Sequence, residues 1–189
     1  NKMKTIILCC LNLTENSFNI IERLLSFFSD KLLYAIPHMT RKPKQDEISG
    51  INGYFITEEA FKIMIQRGYF LEYSQSSSTS SSSSTQSYSF GTSLEVVETI
   101  HELNRICLMI VNCAGAKVLK SKHFPAKYVL LPSPKVETTE TTSGEDQQSS
   151  VPIVEDQKID QYDLEINDET TVFEELKTQF VHWFPELAS

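Results

Sequence analysis

The stretch YAIPHMTRKPKQDEISGINGYFITEEAFKIMIQRGYFLEY, residues 34–73, decides how the rest of the chain is interpreted. It places a basic cluster, 41–44, before an acid, Glu47, and a glycine turn, 50–53. A helical pattern follows, and the stretch closes with a strand that carries Glu72. Cations and carboxylates in this order could hold a small anion and a polar ring together. The question is whether the remaining sequence supplies groups that would do chemistry on such a ligand.

Composition limits the classes of function. The chain has 189 residues, of which 40% are hydrophobic, and this suits one α/β domain with a buried core. A net charge of −8 argues against nucleic acid as a partner, because phosphate backbones require a basic face.

The four cysteines lie in apolar runs without metal-ligand spacing, at Cys9, Cys10, Cys107 and Cys113. They predict free thiols in buried strands, no metal, and a reducing cytoplasmic compartment. No apolar run reaches the roughly 18 residues of a membrane span. Because the chain starts at Asn1, we expect a domain excised from a longer protein, with membrane or cytoskeletal attachment through flanking domains.

The order of apolar segments predicts a parallel sheet with crossover helices. Strands are expected at 5–11, 32–37, 69–73, 106–111, 128–131 and 163–166. Helices are expected at 17–29, 57–68, 93–104, 114–120 and 171–184. The serine-rich segment 75–87 and the polar segment 133–161 cannot bury apolar area and are predicted as loops.

The first strand, turn and helix have the arrangement of a phosphate-binding loop but not its residues. Such a loop needs glycines to turn backbone N–H groups inward, a lysine for the β- and γ-phosphates, and Ser or Thr for Mg²⁺. No glycine precedes Gly50, and no lysine lies between Lys4 and Lys31. ATP binding is therefore not expected here, and Ser17 or Asn16 is predicted as a helix cap.

Several motifs in fixed order resemble the guanylate kinase family over nearly the whole chain. They are Thr40-Arg41-x-Pro43 with Glu47 and Gly50, Phe55 with its following helix, Phe70-Leu-Glu72-Tyr, Phe90-Gly91-Thr92, Val111-Asn112 with Gly115-Ala-Lys117, and Asn167-Asp168. The resemblance implies a three-layer, P-loop-kinase-like parallel sheet formed by 1–36, 93–132 and 162–189. It also implies an inserted β-rich GMP-binding-type unit, 37–92, and a degenerate lid, 133–161.

Residue by residue, the resemblance leaves part of a GMP site. The matching positions are Arg41, Lys44, Glu47, Glu72 and Thr92. Lys44 stands where the family has a second arginine, so it keeps the charge but loses the bidentate fork.

The departures from the family remove the catalytic groups. A serine, two tyrosines and two strand-end acids are replaced, at Pro37, Gly53, Phe90, Ile110 and Asn112. No arginine follows Arg105, so the lid arginines are missing too. Phosphoryl transfer depends on positioning and charge neutralisation, so no catalytic residue, metal or cofactor is expected.

The resulting hypothesis is a catalytically inactive domain used for protein interaction, as in membrane-associated guanylate kinase scaffolds or leucine-rich-repeat proteins with such a domain. The former GMP site would bind partner peptides, phosphorylated ones included. One alternative is a nucleotide-binding kinase that converts ATP and GMP to ADP and GDP. Another is a structural subunit of a cytoskeletal or ciliary assembly, in which Arg41 pairs with Glu47 or Glu72 as a remnant.

Overall fold

The structure is a computed structural model that describes residues 4–10, 15–79, 85–132 and 161–188. The helices and strands in these ranges are, in chain order, β1 (Thr5–Cys10), α1 (Glu15–Phe28), β2 (Leu32–Tyr34), β3 (His38–Met39), β4 (Tyr54–Phe55), α2 (Glu58–Gln66), β5 (Phe70–Thr79), β6 (Thr85–Ser93), α3 (Leu94–Glu102), β7 (Ile106–Asn112), α4 (Cys113–Ser121), β8 (Lys127–Leu130), β9 (Leu164–Glu165) and α5 (Val172–Trp183). Short 3₁₀ turns follow α1 at Ser29–Lys31 and α5 at Pro185–Ala188.

The core is a five-stranded parallel sheet in the order β2-β7-β1-β8-β9. All six residues of β1 are buried, as expected for an apolar strand covered on both faces. Helices α1 and α5 pack on one face, and α3 and α4 pack on the other. The predicted three-layer α/β architecture is therefore confirmed.

A second sheet forms the small unit inserted between β2 and α3. Its four strands run in the order β4-β3-β6-β5, and all its neighbouring strands are antiparallel except β3 and β4. Helix α2 belongs to the same segment. Its N-cap is Thr57, whose hydroxyl accepts a hydrogen bond from the Ala60 amide at 3.2 Å.

The serine-rich segment was predicted incorrectly as a loop. Strand β5 continues to Thr79 and β6 begins at Thr85, and their backbones pair from Ser76 opposite Tyr88 to Thr79 opposite Thr85. Pairing between strands uses backbone groups, so it does not require apolar side chains. Only residues 80–84 of the predicted loop lie outside the described ranges.

Two predicted boundaries differ from the structure, the start of α1 and the end of β2. Helix α1 begins at Glu15, so neither Asn16 nor Ser17 is its cap, and Ser17 is a buried helical residue that hydrogen-bonds Cys10. Strand β2 ends at Tyr34 rather than Pro37, since a proline cannot donate to a strand ladder.

The degenerate phosphate loop and the predicted lid fall outside the described residues, except at their ends. Those two predictions therefore rest on the sequence. No helix in the described ranges combines the length and the hydropathy needed to cross a membrane.

Candidate binding site

Arg41 is paired with an acid of its own segment. Its Nη1 and Nη2 lie 2.6 and 2.7 Å from the two carboxylate oxygens of Glu47, which is a bidentate ion pair. The backbone N–H of Lys44 donates to the same carboxylate at 2.7 Å. These hydrogen bonds raise the pKa of Arg41 and lower the pKa of Glu47. Both side chains are less than one-fifth exposed.

The guanidinium is also enclosed by two aromatic rings. Its central carbon lies 5.2 Å from the ring centre of Phe55 and 5.9 Å from that of Tyr88. The Nη1 group of Arg41 also donates a hydrogen bond to the Lys42 carbonyl at 3.0 Å. Most of the donors of Arg41 are thus engaged within the chain, and an incoming phosphate must compete with Glu47 for them.

Glu72 forms a second, separate cluster with Thr92. The two residues are opposite one another on β5 and β6, and Oε1 of Glu72 accepts a hydrogen bond from the Thr92 amide at 3.0 Å. The residue is 1% exposed, and Oε2 has no hydrogen-bond partner within the described ranges. Burial raises the pKa of Glu72 to about 7, although the hydrogen bonds from Thr92 act in the opposite direction.

Helix α4 closes Glu72 off from solvent. A methyl group built on Gly115 would lie 2.6 Å from Oε2 of Glu72, so only glycine leaves room for the carboxyl. The first turn of α4 is fixed by Asn112, whose Oδ1 accepts a hydrogen bond from the Gly115 amide at 2.9 Å. Glu72, which the family resemblance matches to the acid that recognises the base of GMP, is therefore packed under a helix.

The structure unites the five predicted site residues only in part. Arg41, Lys44 and Glu47 form one cluster, and Glu72 and Thr92 form the other. Tyr88, which contacts Arg41, and Thr92 are four residues apart on β6, about 13 Å at the usual rise of a strand. The ion pair of Arg41 with Glu47 and the hydrogen bond of Thr92 to Glu72 each lie within one cluster.

At three positions of the small unit, this chain has a different residue from the family pattern. Each of these residues takes part in the packing or the hydrogen bonding of the unit. The Pro37 carbonyl accepts a hydrogen bond from the Tyr54 amide at 2.9 Å. A methyl group on Gly53 would meet the end of Met39 at 2.2 Å, so the observed packing leaves no space for a tyrosine there. Phe90 is 3% exposed and belongs to the core. The surrounding structure therefore accommodates all three substitutions.

The end of β7 has also lost its acidic character. Ile110 is buried in the cluster on the α1 and α5 face, and the side chain of Asn112 is used to cap α4. Within the described parts of the chain, no group of three or more His, Cys, Asp or Glu side chains could hold a metal ion. The geometry therefore provides no carboxylate at this strand end to support a metal–nucleotide complex.

The loop from 41 to 51 instead presents cations beside exposed aliphatic groups. Ile48 and Ile51 are 59% and 63% exposed. Lys42 and Lys44 are exposed on the same loop. We call residues 41–51 the basic–aliphatic loop. Exposed apolar side chains beside charges are typical of a surface that binds other proteins.

Sequence reasoning missed three of these contacts. Tyr88 lies near the serine-rich segment, and its contact with Arg41 depends on the pairing of β3 with β6. The role of Gly115 depends on α4 approaching β5, which no local pattern encodes. The cap by Asn112 is a local contact, and an asparagine at the start of a helix was its signal.

Comparisons with known proteins agree with this architecture. The family model described as guanylate kinase matches residues 2–175. The crystal structure of guanylate kinase from Anaplasma phagocytophilum superposes with a TM-score of 0.58, covering 96% of this chain and 87% of that chain. At 12% sequence identity this likeness shows a common fold, that of the P-loop kinases.

Related sequences include proteins named guanylate kinase and proteins with other names. Protein lin-2 of Caenorhabditis elegans is 29% identical over 115 residues, which cover 61% of this chain and 11% of lin-2. Guanylate kinase of Schizosaccharomyces pombe is 27% identical over 121 residues, covering 64% of this chain and 55% of the kinase. MAGUK p55 subfamily member 3 of Rattus norvegicus is 28% identical over 127 residues, covering 66% and 20%. The chain thus matches about half, or much less, of these relatives' lengths.

Proposed function

We propose that this chain, which belongs to the guanylate kinase family, is a catalytically inactive member that binds protein partners. The observation that carries the proposal is the absence of the loop lysine and of the lid arginines, the cationic groups that the family uses to neutralise the transferring phosphoryl group. No lysine lies between Lys4 and Lys31, and no arginine follows Arg105. Loss of one such group costs several powers of ten in rate, and here all are absent.

The buried position of Glu72 supports the same proposal. An acid that recognises a purine must be ionised or shared with the base, and it must be within reach. Here the carboxyl is 1% exposed and its pKa is raised to about 7 by burial. A nucleotide base could reach it only if α4 and β5 separated.

We place the partner's contact on the basic–aliphatic loop. The charge of the loop favours acidic peptides, and a phosphorylated side chain would supply the acceptor oxygens that Arg41 and the lysines can bind. Ile48 and Ile51 would contact apolar residues next to the acid. Lin-2, MAGUK p55 subfamily member 3 and guanylate kinase of Schizosaccharomyces pombe match at similar identities of 27–29%, so the choice of the protein-binding class rests on the missing cations and on the burial of Glu72.

The internal ion pair sets the affinity of such a site. A phosphate must displace the Glu47 carboxylate from Arg41, so binding is expected to be weaker than in a site with a free arginine. Four buried free thiols support a reducing, cytoplasmic location for the domain.

Isothermal titration of the whole chain with GMP, ATP and a phosphoserine peptide rich in aspartate and isoleucine tests the proposal. We expect heat only from the peptide, at least a fivefold loss of affinity in Arg41→Ala, and a gain of affinity in Glu47→Ala. Arg67→Ala, which removes an exposed arginine outside the loop, is the matched control.

Three results would contradict the proposal. ATP binding in the micromolar range would indicate a nucleotide-binding enzyme. Loss of peptide affinity in both Glu47→Ala and Arg41→Ala would mean that the ion pair acts as a unit. Absence of peptide binding would favour a structural role in a larger assembly.

A further inference from the structure

The edge of the core sheet borders a groove that shares one residue, Ile51, with the basic–aliphatic loop. Strand β2 is the last strand of the sheet on this side. The groove has a volume of about 690 Å³ and lies between the end of α1 and helix α3. Its lining is mainly apolar and includes Leu25, Leu33, Ile36 and Val96.

The backbone of β2 offers hydrogen bonds along this groove. The amide of Ala35 donates to the carbonyl of Leu108 on β7 at 2.9 Å, so the backbone groups of Leu33 and Ala35 point toward β7. Because successive residues of a strand alternate in direction, the amides and carbonyls of Leu32 and Tyr34 point outward. Within the described ranges, no other segment takes up the Tyr34 amide. Unpaired strand edges of this kind accept an extended peptide as an additional strand.

Helix α3 gives the groove an acidic wall. Glu95, Val96 and Thr99 line it, and Thr99 is exposed. Glu98 and Glu102 are exposed on the adjoining ridge of the same helix. Apolar contact along the groove is therefore combined with negative charge at its rim, opposite in sign to the basic–aliphatic loop.

We propose that this edge groove binds an extended peptide strand in which aliphatic residues alternate with lysine or arginine. The peptide backbone would pair with the outward groups of β2, the aliphatic side chains would enter the groove, and the cations would face the glutamates of α3. This site takes only Ile51 from the basic–aliphatic loop, and it uses none of the loop's cations.

Nuclear magnetic resonance with the ¹⁵N-labelled whole chain tests the proposal. The probe is acetyl-Lys-Val-Lys-Val-Lys-Val-Lys-amide, titrated to about 1 mM, the range of weak peptide recognition. We expect saturable shifts of the Tyr34 and Val96 amides. Three control probes replace lysine with glutamate, valine with serine, or the central valine with N-methylvaline, and each should lose at least tenfold in affinity.

A matched pair of variants locates the binding. Thr99→Arg places a cation and extra volume in the groove and should reduce affinity at least tenfold. Thr178→Arg makes the same change at an exposed position of α5 and should leave affinity unchanged. Thermal unfolding of both variants verifies that they are folded.

The proposal fails if the probe produces no saturable shifts or if Thr99→Arg binds as well as the parent chain. It also fails if the serine probe or the glutamate probe binds as well as the original peptide. The groove would then not recognise both the aliphatic side chains and the positive charges of the peptide. Concentration-dependent shifts of Tyr34 without any peptide would assign the edge to a second copy of the chain, and this too would overturn it. None of these results bears on the Arg41 titrations.

Discussion

Replacing Glu72 with glutamine should make the chain more stable at alkaline pH. The carboxyl is 1% exposed, and its pKa rises from 4.5 to about 7 on folding because burial disfavours the charged form. The folded state therefore keeps this proton to a higher pH than the unfolded state. The contribution of the protonated carboxyl to the free energy of unfolding is fully present below pH 4.5. This contribution is lost progressively as the pH rises through about 7.

The magnitude follows from the two pKa values. A rise from 4.5 to about 7 corresponds to a cost of about 3 kcal/mol above pH 7. Glutamine cannot ionise, and its carbonyl oxygen can still accept the hydrogen bond from the Thr92 amide. We compare the free energy of unfolding of Glu72→Gln with that of the parent chain at the same pH. This difference should increase by about 2–3 kcal/mol as the pH is raised from 5 to 8.

Urea unfolding at pH 5, 6, 7 and 8 measures this difference. Burial lowers the pKa of His38 and His101, so these residues make the parent chain more stable as pH rises toward 6.5. Subtracting the two curves removes their contribution. Glu98→Gln, at an exposed site on α3, controls for the lost charge. A difference that stays constant, or falls with pH, would refute the enclosed and uncharged state of Glu72.

Three further predictions concern the stability of the site's framework. A double-mutant cycle of Arg41→Ala and Glu47→Ala should give a coupling energy of about 1–2 kcal/mol in urea unfolding, because the pair is bidentate and mostly shielded. A coupling near zero would mean that the pair is not formed in solution. Asn112→Ala should lower stability by about 1 kcal/mol through loss of the α4 cap, measured as a lower thermal midpoint, while an unchanged midpoint would argue against that cap. Gly91→Ala should cost about 1–3 kcal/mol in urea unfolding, since its methyl would lie 2.8 Å from the Glu72 carbonyl oxygen, and a neutral effect would contradict the close approach of β5 and β6.

The core sheet was predictable because its pattern is local. Apolar runs such as 106–111, separated by helical periodicity, specify buried parallel strands and crossover helices. The helix expected at 93–104 begins where serine, a common capping residue, occurs, and the Ser93 hydroxyl accepts a hydrogen bond from the Val96 amide at 3.4 Å. Sequence reasoning succeeded where the residues that predict an element are the same residues that form it.

The site was less predictable because its geometry depends on contacts between distant segments. The sequence predicted that Arg41 could pair with Glu47 or with Glu72, and it did not decide between the two acids. The burial of Glu72 follows from α4 packing over β5, about forty residues away in the chain. The serine-rich strands were missed because backbone pairing imposes little demand on side-chain type in a hairpin extension.

The central claim is that this member of the guanylate kinase family does not catalyse phosphoryl transfer. The most direct measurement incubates the whole chain at high concentration with Mg²⁺, GMP and ATP labelled at the γ-phosphate, and follows the formation of labelled GDP. Guanylate kinase of Schizosaccharomyces pombe serves as the positive control. We predict labelled GDP at the rate of buffer alone. GDP formation that increases in proportion to the concentration of this chain would contradict the account.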